Sequence, residues 1–274
     1  MVTVAYLIIT GLTLLLLYPA LGWLVVSWLS NPYYSHGFLI PPVAALLAWR
    51  QWPRLRAEPR RGEIWIGLGL TAASLAAIVW AMRWQNYVAV WLAAVALLIG
   101  ILLYLEGWLR LRHWLFPLLF VGLMIPLPFI DQLSPWFESL TARWATALAR
   151  LAGIAAVQQG GEIALPGTTI VVGAPCSGLR SLVAMGAAGL VWIYLVQGRL
   201  LAKALMLAAI APLAIAGNML RIALLLVIAA WWGPEPALTY YHDWSGLVLF
   251  LVALSSLVAW GRVLGCYRVR DDIF

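Results

Sequence analysis

Residues 64–82 read IWIGLGLTAASLAAIVWAM, and residues 87–105 read YVAVWLAAVALLIGILLYL. Neither run contains a charged group, and only Arg83-Trp84-Gln85-Asn86 separates them. An α-helix rises about 1.5 Å per residue, so roughly 20 apolar residues cross a hydrocarbon core about 30 Å thick. The two runs therefore predict a pair of transmembrane helices joined by a tight turn. The rest of the chain agrees: of 274 residues, 65% are hydrophobic and 10% charged, with a mean hydropathy of +0.96. Soluble domains carry about 25% charged residues. This composition excludes a soluble enzyme, a disordered chain and a fibrous protein.

Working outward, further apolar runs predict six more spans: Val4–Leu29, Gly37–Trp49, Trp114–Ile130, Ser177–Val196, Leu201–Trp232 and Trp244–Val263. The second is short and holds Pro41-Pro42 near its start. The expectation is an all-α polytopic membrane protein of about eight transmembrane helices, with residues 1–274 forming a single integral membrane domain. The first run continues directly into membrane sequence, unlike a removed signal peptide.

The net charge of +7 comes from 16 Arg and Lys203 against ten acidic residues. No basic segment interleaved with aromatics points to nucleic acid. Eight spans put both termini on one side. That side, if it holds the 50–61 loop, collects Arg50, Arg54, Arg56, Arg60, Arg61, Arg110, Arg112, Arg199, Lys203, Arg262, Arg268 and Arg270. The positive-inside rule makes it cytoplasmic. Most of the 17 Trp fall near predicted span ends, as interfacial belts do. Cys176 and Cys266 are far apart and form no metal or CxxC spacing, so neither a disulfide framework nor a metal site is expected.

Residues 131–175 form the long outer loop. Leu133 to Ala152 mixes apolar residues with Glu138, Arg143 and Arg150 at helical spacing, which predicts an amphipathic helix on the membrane. Val157–Val172 contains Gly160-Gly161 and Pro166-Gly167, and predicts a short β-hairpin turned at Pro-Gly. This hairpin would deliver the chain to Cys176.

Ionisable groups inside spans are costly and mark function by default. Arg180 lies one turn into the sixth span, at i, i+4 from Cys176. Arg221 lies well inside the seventh, one turn after Asn218. The topology also places Cys176, His242 (in Tyr240-Tyr241-His242-Asp243-Trp244) and His36 (in Tyr34-Ser35-His36-Gly37) at the outer face. A thiol with an imidazole and guanidinium groups on one face suggests nucleophilic catalysis, since the thiolate attacks and neighbouring cations lower its pKa. An arginine also stabilises the oxyanion of a tetrahedral intermediate. Cys266, on the cytoplasmic side, reads as a small buried hydrophobe. Counted from the outer end of its span, Arg221 lies about 16 Å deep at 1.5 Å per residue. It meets Cys176 only if the site is sunk into the bilayer or the helix extends beyond it.

Four segments together resemble the exosortase/archaeosortase family. They are Tyr34-Ser35-His36-Gly37-Phe38-Leu39-Ile40-Pro41, Cys176-Ser177-Gly178-Leu179-Arg180-Ser181-Leu182, Asn218-Met219-Leu220-Arg221-Ile222, and His242 before a Gly-containing helix start. The resemblance implies about eight helices with an outward-facing site in the cytoplasmic membrane. It implies a cysteine protease or transpeptidase acting on exported proteins that end in a Pro-Glu-Pro-like motif, a transmembrane helix and a basic cluster. On this likeness Cys176 is the nucleophile, His242 the acid/base and Arg221 the oxyanion or substrate-positioning group. Arg180, Asn218, Ser177 and His36 are supporting members. The thioester would pass to water or to an amine or hydroxyl acceptor, a lipid or glycan among the candidates, with no cofactor. Where many relatives carry an acidic residue before the cysteine, this chain has Gly173-Ala174-Pro175. The rival expectation is a transporter or lipid-handling protein in which Arg180 and Arg221 bind an anionic group. The chain lacks the inverted repeat and paired broken helices of many transporters.

Overall fold

A computed structural model describes residues 2–173 and 176–271, with the side chains of residues 2–10, 14, 242 and 243 left aside. It divides into two compact units, one ending at Leu127 and one covering Pro128–Asp271.

The first unit holds α1 (Val2–Ser30), α2 (Ile40–Arg50), α3 (Trp52–Ala57), α4 (Ile64–Arg83), α5 (Tyr87–Glu106) and α6 (Trp108–Val121). The α4–α5 pair is the hairpin expected from its two apolar runs. Asn86 caps α5 through the Ala89 N–H, at 3.1 Å. Gly100 lies so close to Thr71 that an added Cβ would come within 2.9 Å of its backbone nitrogen. Such small residues let membrane helices pack at short range. The fifth predicted span starts earlier than read: α6 begins at Trp108 and takes Arg110 into the helix. The reason is Glu106, buried on α5, whose carboxylate accepts hydrogen bonds from Arg110 at 2.5 Å and Arg60 at 3.1 Å. Pairing offsets part of the cost of burying these charges.

In the second unit, α7 (Pro128–Leu151) is the amphipathic helix, extended by a turn at its start. Its buried stripe is Ser134, Phe137, Thr141, Ala142, Ala145, Thr146 and Ala149, while Trp136 and Trp144 are exposed. That division suits a helix at a membrane interface. The expected single hairpin is a three-stranded antiparallel sheet, β1 (Val157–Gln159), β2 (Glu162–Leu165) and β3 (Thr168–Val171), in the order β1-β2-β3. Pro166-Gly167 turns β2 into β3 as read. Gly160-Gly161 makes a second turn that adds β1, with Gly160 at φ +61° and Gly167 at φ +87°.

α8 (Leu179–Leu195) and α9 (Leu200–Trp232) follow, then the one-turn α10 (Pro234–Pro236), a π-helical turn at Ala237–Tyr241, and α11 (His242–Val263). Two apolar cores line up along α9. Toward its start Ala202, Met206, Ile210 and Ala214 pack with Met185, Leu257 and Cys266. Toward its end Ile222, Leu225, Leu226 and Ala229 pack with α7 and the sheet. Cys266 is wholly buried, in keeping with its reading as a small hydrophobe.

Among the described residues, four helices are long and apolar enough to cross a membrane: Ile64–Arg83, Tyr87–Glu106, Leu200–Trp232 and Trp244–Val263. A fifth is added if Trp108–Met124 and Pro128–Leu151 count as one span. Of the other predicted spans, the first is the 29-residue α1, whereas the second and sixth are helical but short. α2 has 11 residues and α8 has 17, or about 16 and 25 Å against a core of about 30 Å.

Candidate functional site

The stripe on α9 that runs Ala202, Met206, Ile210, Ala214 arrives four residues later at Asn218, which is 4% exposed. The next turn brings Arg221, at 9%. Two polar side chains thus occupy the junction of the two apolar cores. Burial of such groups costs several kcal/mol each unless hydrogen bonds replace the lost water. Their partners define the site.

Asn218 Nδ2 donates to the carbonyl of Cys176 at 2.9 Å and lies 3.4 Å from Thr141 Oγ1. Thr141 Oγ1 donates to the carbonyl of Ser177 at 3.0 Å. The Cys176 N–H is bound to the Gly173 carbonyl at 2.8 Å, and the Leu179 N–H to Ser177 Oγ at 3.3 Å. Gly178 turns the chain into α8 at φ +85°. An added Cβ there would stand 2.7 Å from Asn218 Nδ2. Glycine is therefore required twice, for its backbone conformation and for contact with the amide. In this way the Cys-Ser-Gly and Asn-x-x-Arg segments, 42 residues apart at Cys176 and Asn218, are one structure.

Arg221 Nε donates to Ser245 Oγ in the first turn of α11 at 3.1 Å, and the Tyr241 hydroxyl donates to the Arg221 carbonyl at 3.1 Å. Gly246 lies against the guanidinium: an added Cβ would be 3.5 Å from Cζ. A narrow cavity of about 10 Å³ opens beside these groups, lined by Ser181, Asn218, Arg221, Gly246 and Phe250 among others. It has room for a single water-sized group.

Cys176 is half-buried at the rim of the outer core. Burial pushes its thiol up, and the Arg221 guanidinium opposes this by favouring the thiolate. The contacts of α9 set Arg221 near the cysteine turn: Asn218, three residues earlier on the helix, donates to the Cys176 carbonyl. α9 has 33 residues, about 50 Å, which exceeds the thickness of a bilayer core by about 20 Å. Labelling follows from the charges. Iodoacetamide modification of Cys176 should rise with pH toward a midpoint above the ordinary thiol value of 9.0. In Arg221→Gln the thiolate loses its nearby cation, so the midpoint moves higher and labelling at pH 8 slows. Mass spectrometry across a pH series measures both, and an unchanged midpoint contradicts the electrostatic coupling.

Not every sequence expectation takes the expected form. Cys176 does not open α8, which begins at Leu179. Gly178 in the left-handed region breaks the helical register, so Cys176 and Arg180 do not share a helix face, and Arg180 is exposed. Ser177 is buried and serves the turn itself. His242 opens α11 one turn before Ser245, and its side chain lies outside the described residues. His36 belongs to the first unit, in a 3₁₀ turn at Ser35–Phe38. Its neighbours there have packing roles. The Tyr34 hydroxyl donates to the Leu127 carbonyl at 2.9 Å and accepts from the Leu127 N–H at 2.8 Å, while Gly37 abuts the Trp28 indole.

Three residues of the site were not singled out by sequence: Thr141, Ser245 and Tyr241. Thr141 had a legible signal, a hydroxyl on the buried stripe of an otherwise apolar helix face. Ser245 is three residues after His242, the spacing of neighbours on one helix face.

A half-buried thiol beside a buried arginine, in a mostly helical multi-pass membrane protein, defines the class: a membrane protein with a candidate thiol site. The family model for the transmembrane exosortases matches residues 28–259. The chain belongs to that family. No curated protein and no solved structure matches it.

Proposed function

We propose that this exosortase is a membrane-embedded cysteine protease or transpeptidase that cleaves the C-terminal sorting signal of exported proteins at the outer face of the cytoplasmic membrane. The observation that carries the reading is the meeting of Cys176, Asn218 and Arg221 at the junction of two apolar cores. Family membership supports the substrate class, proteins that end in a short motif, a transmembrane helix and a basic cluster.

His242 takes the Cys176 proton, and the thiolate attacks the scissile carbonyl carbon. The carbonyl electron pair moves onto oxygen, where the Arg221 guanidinium stabilises the negative charge. Collapse of the tetrahedral intermediate breaks the C–N bond, and His242 returns its proton to the departing amine. A thioester then joins Cys176 Sγ to the substrate. Water, or an amine or hydroxyl of a lipid or glycan acceptor, attacks it. His242 takes the acceptor's proton and passes it to the released thiolate. Burial disfavours the Cys176 thiolate, so an imidazole base would assist its formation.

The test is capture of the thioester. Membranes holding the protein and a tagged substrate are quenched with acid, and the adduct is sought by mass at the Cys176 peptide. Hydroxylamine should release the substrate fragment as a hydroxamate. Continued processing with the adduct absent, or an adduct located elsewhere, would overturn the reading.

A further inference from the structure

We infer that Thr141, on the amphipathic helix α7, is a positioning residue for the cysteine: it holds the Cys176-Ser177 turn and fixes which end of the Asn218 amide faces it. The inference rests on the reading of Cys176 as nucleophile.

The argument is one of donors and acceptors. A carbonyl only accepts, so the contact to the Ser177 carbonyl at 3.0 Å uses the single hydroxyl proton of Thr141. What Thr141 still offers is a lone pair. The Asn218 amide lies between this lone pair, at 3.4 Å, and the Cys176 carbonyl, at 2.9 Å. Both neighbours need a donor, so the NH2 end must face them. The amide oxygen is then directed away, and it is buried with no protein partner among the described residues. Rotating the amide would set two oxygens against it and break the bond to Cys176.

Thr141 thus reaches the carbonyls of two consecutive residues, Ser177 directly and Cys176 through Asn218. It is 2% exposed and sits on the stripe of α7 that packs on α9, between Phe137 and Ala145. The turn it holds has little freedom left. The Cys176 N–H, the Leu179 N–H and the left-handed Gly178 are all committed. In a hydrogen-bonded network of low polarity such partners set position to within a fraction of an ångström, which is the tolerance nucleophilic attack demands. The amphipathic helix α7 therefore controls the geometry of the thiol through the turn it holds.

The experiment compares Thr141→Val, which keeps the shape and removes the hydroxyl, with Thr141→Ser, which keeps the hydroxyl. Each is assayed per folded molecule in membranes. In Thr141→Val the kcat for substrate processing should fall about tenfold, the scale of one lost hydrogen bond, with KM unchanged. Iodoacetamide labelling of Cys176 should become several-fold faster as the turn loosens. Thr141→Ser should restore both. Wild-type kcat and labelling in Thr141→Val, or equal impairment in the two variants, overturns the inference. Labelling needs no substrate and separates the two readings. If labelling shifts in Thr141→Val and recovers in Thr141→Ser while wild type forms no thioester, positioning stands and the proposed reaction fails. If wild type forms the thioester and neither readout moves in Thr141→Val, the reverse holds.

Discussion

The Cys176→Ala protein should insert into membranes at the wild-type level and leave a C-terminally tagged sorting substrate uncut. Removing the nucleophile of a triad enzyme lowers kcat by about 10⁶, the loss expected if Cys176 has the proposed role, and no second thiol is placed to substitute. The other cysteine, Cys266, is wholly buried in the core formed by the start of α9, α8 and the end of α11. Cys176 packs at the rim of the outer core, and its backbone carbonyl takes the hydrogen bond from Asn218. The cost in stability should be about 1 kcal/mol, the centre of the range for point substitutions. Unchanged insertion with lost processing separates chemistry from folding. Cys176→Ser keeps a hydroxyl but not a thiolate, and should remain within tenfold of the alanine variant. Immunoblots of the tag in both backgrounds check this. Processing by Cys176→Ala at the wild-type rate would remove the thiol from the mechanism.

Loss of Arg221 should be nearly as severe. Arg221→Ala removes the group proposed to stabilise the oxyanion, and deletion of one such donor costs about 10²–10³ in kcat. It also withdraws the positive charge that opposes the burial of the Cys176 thiol, so less thiolate forms at any given pH. Both effects lower turnover in the same direction. Arg221→Lys separates them. A lysine restores a cation near Cys176 and with it part of the alkylation rate. It cannot reproduce the planar fork that sends Nε to Ser245 Oγ at 3.1 Å. Alkylation in Arg221→Lys should therefore recover more than kcat does. Equal recovery of both would assign Arg221 a purely electrostatic role on the thiol. A wild-type kcat in Arg221→Ala would exclude it from the reaction.

The amino-acid sequence alone determined much of this protein. Apolar run length specified the class and the helices, because a helix in hydrocarbon must satisfy its backbone internally and so announces itself by composition. Polar residues inside such runs drew attention to Arg221 and Asn218, since their desolvation needs a reason. The Pro166-Gly167 turn was legible because only glycine adopts that backbone freely.

Local periodicity, however, reports which face a residue occupies and not which neighbour it meets. Arg180 appeared to share a face with Cys176, yet Gly178 at φ +85° breaks the register before the helix begins. Arg221 appeared too deep to meet Cys176, yet Asn218, three residues before it on the long α9, donates to the Cys176 carbonyl. Only the tertiary structure decided that Thr141, Cys176, Ser177, Asn218, Arg221 and Ser245 form one site, in which Thr141 and Asn218 hold the Cys176-Ser177 turn and Arg221 bonds Ser245. Its bonds join residues 24, 36, 42 and 77 positions apart, and what brings them together is the packing of α7, α9 and α11 around two apolar cores.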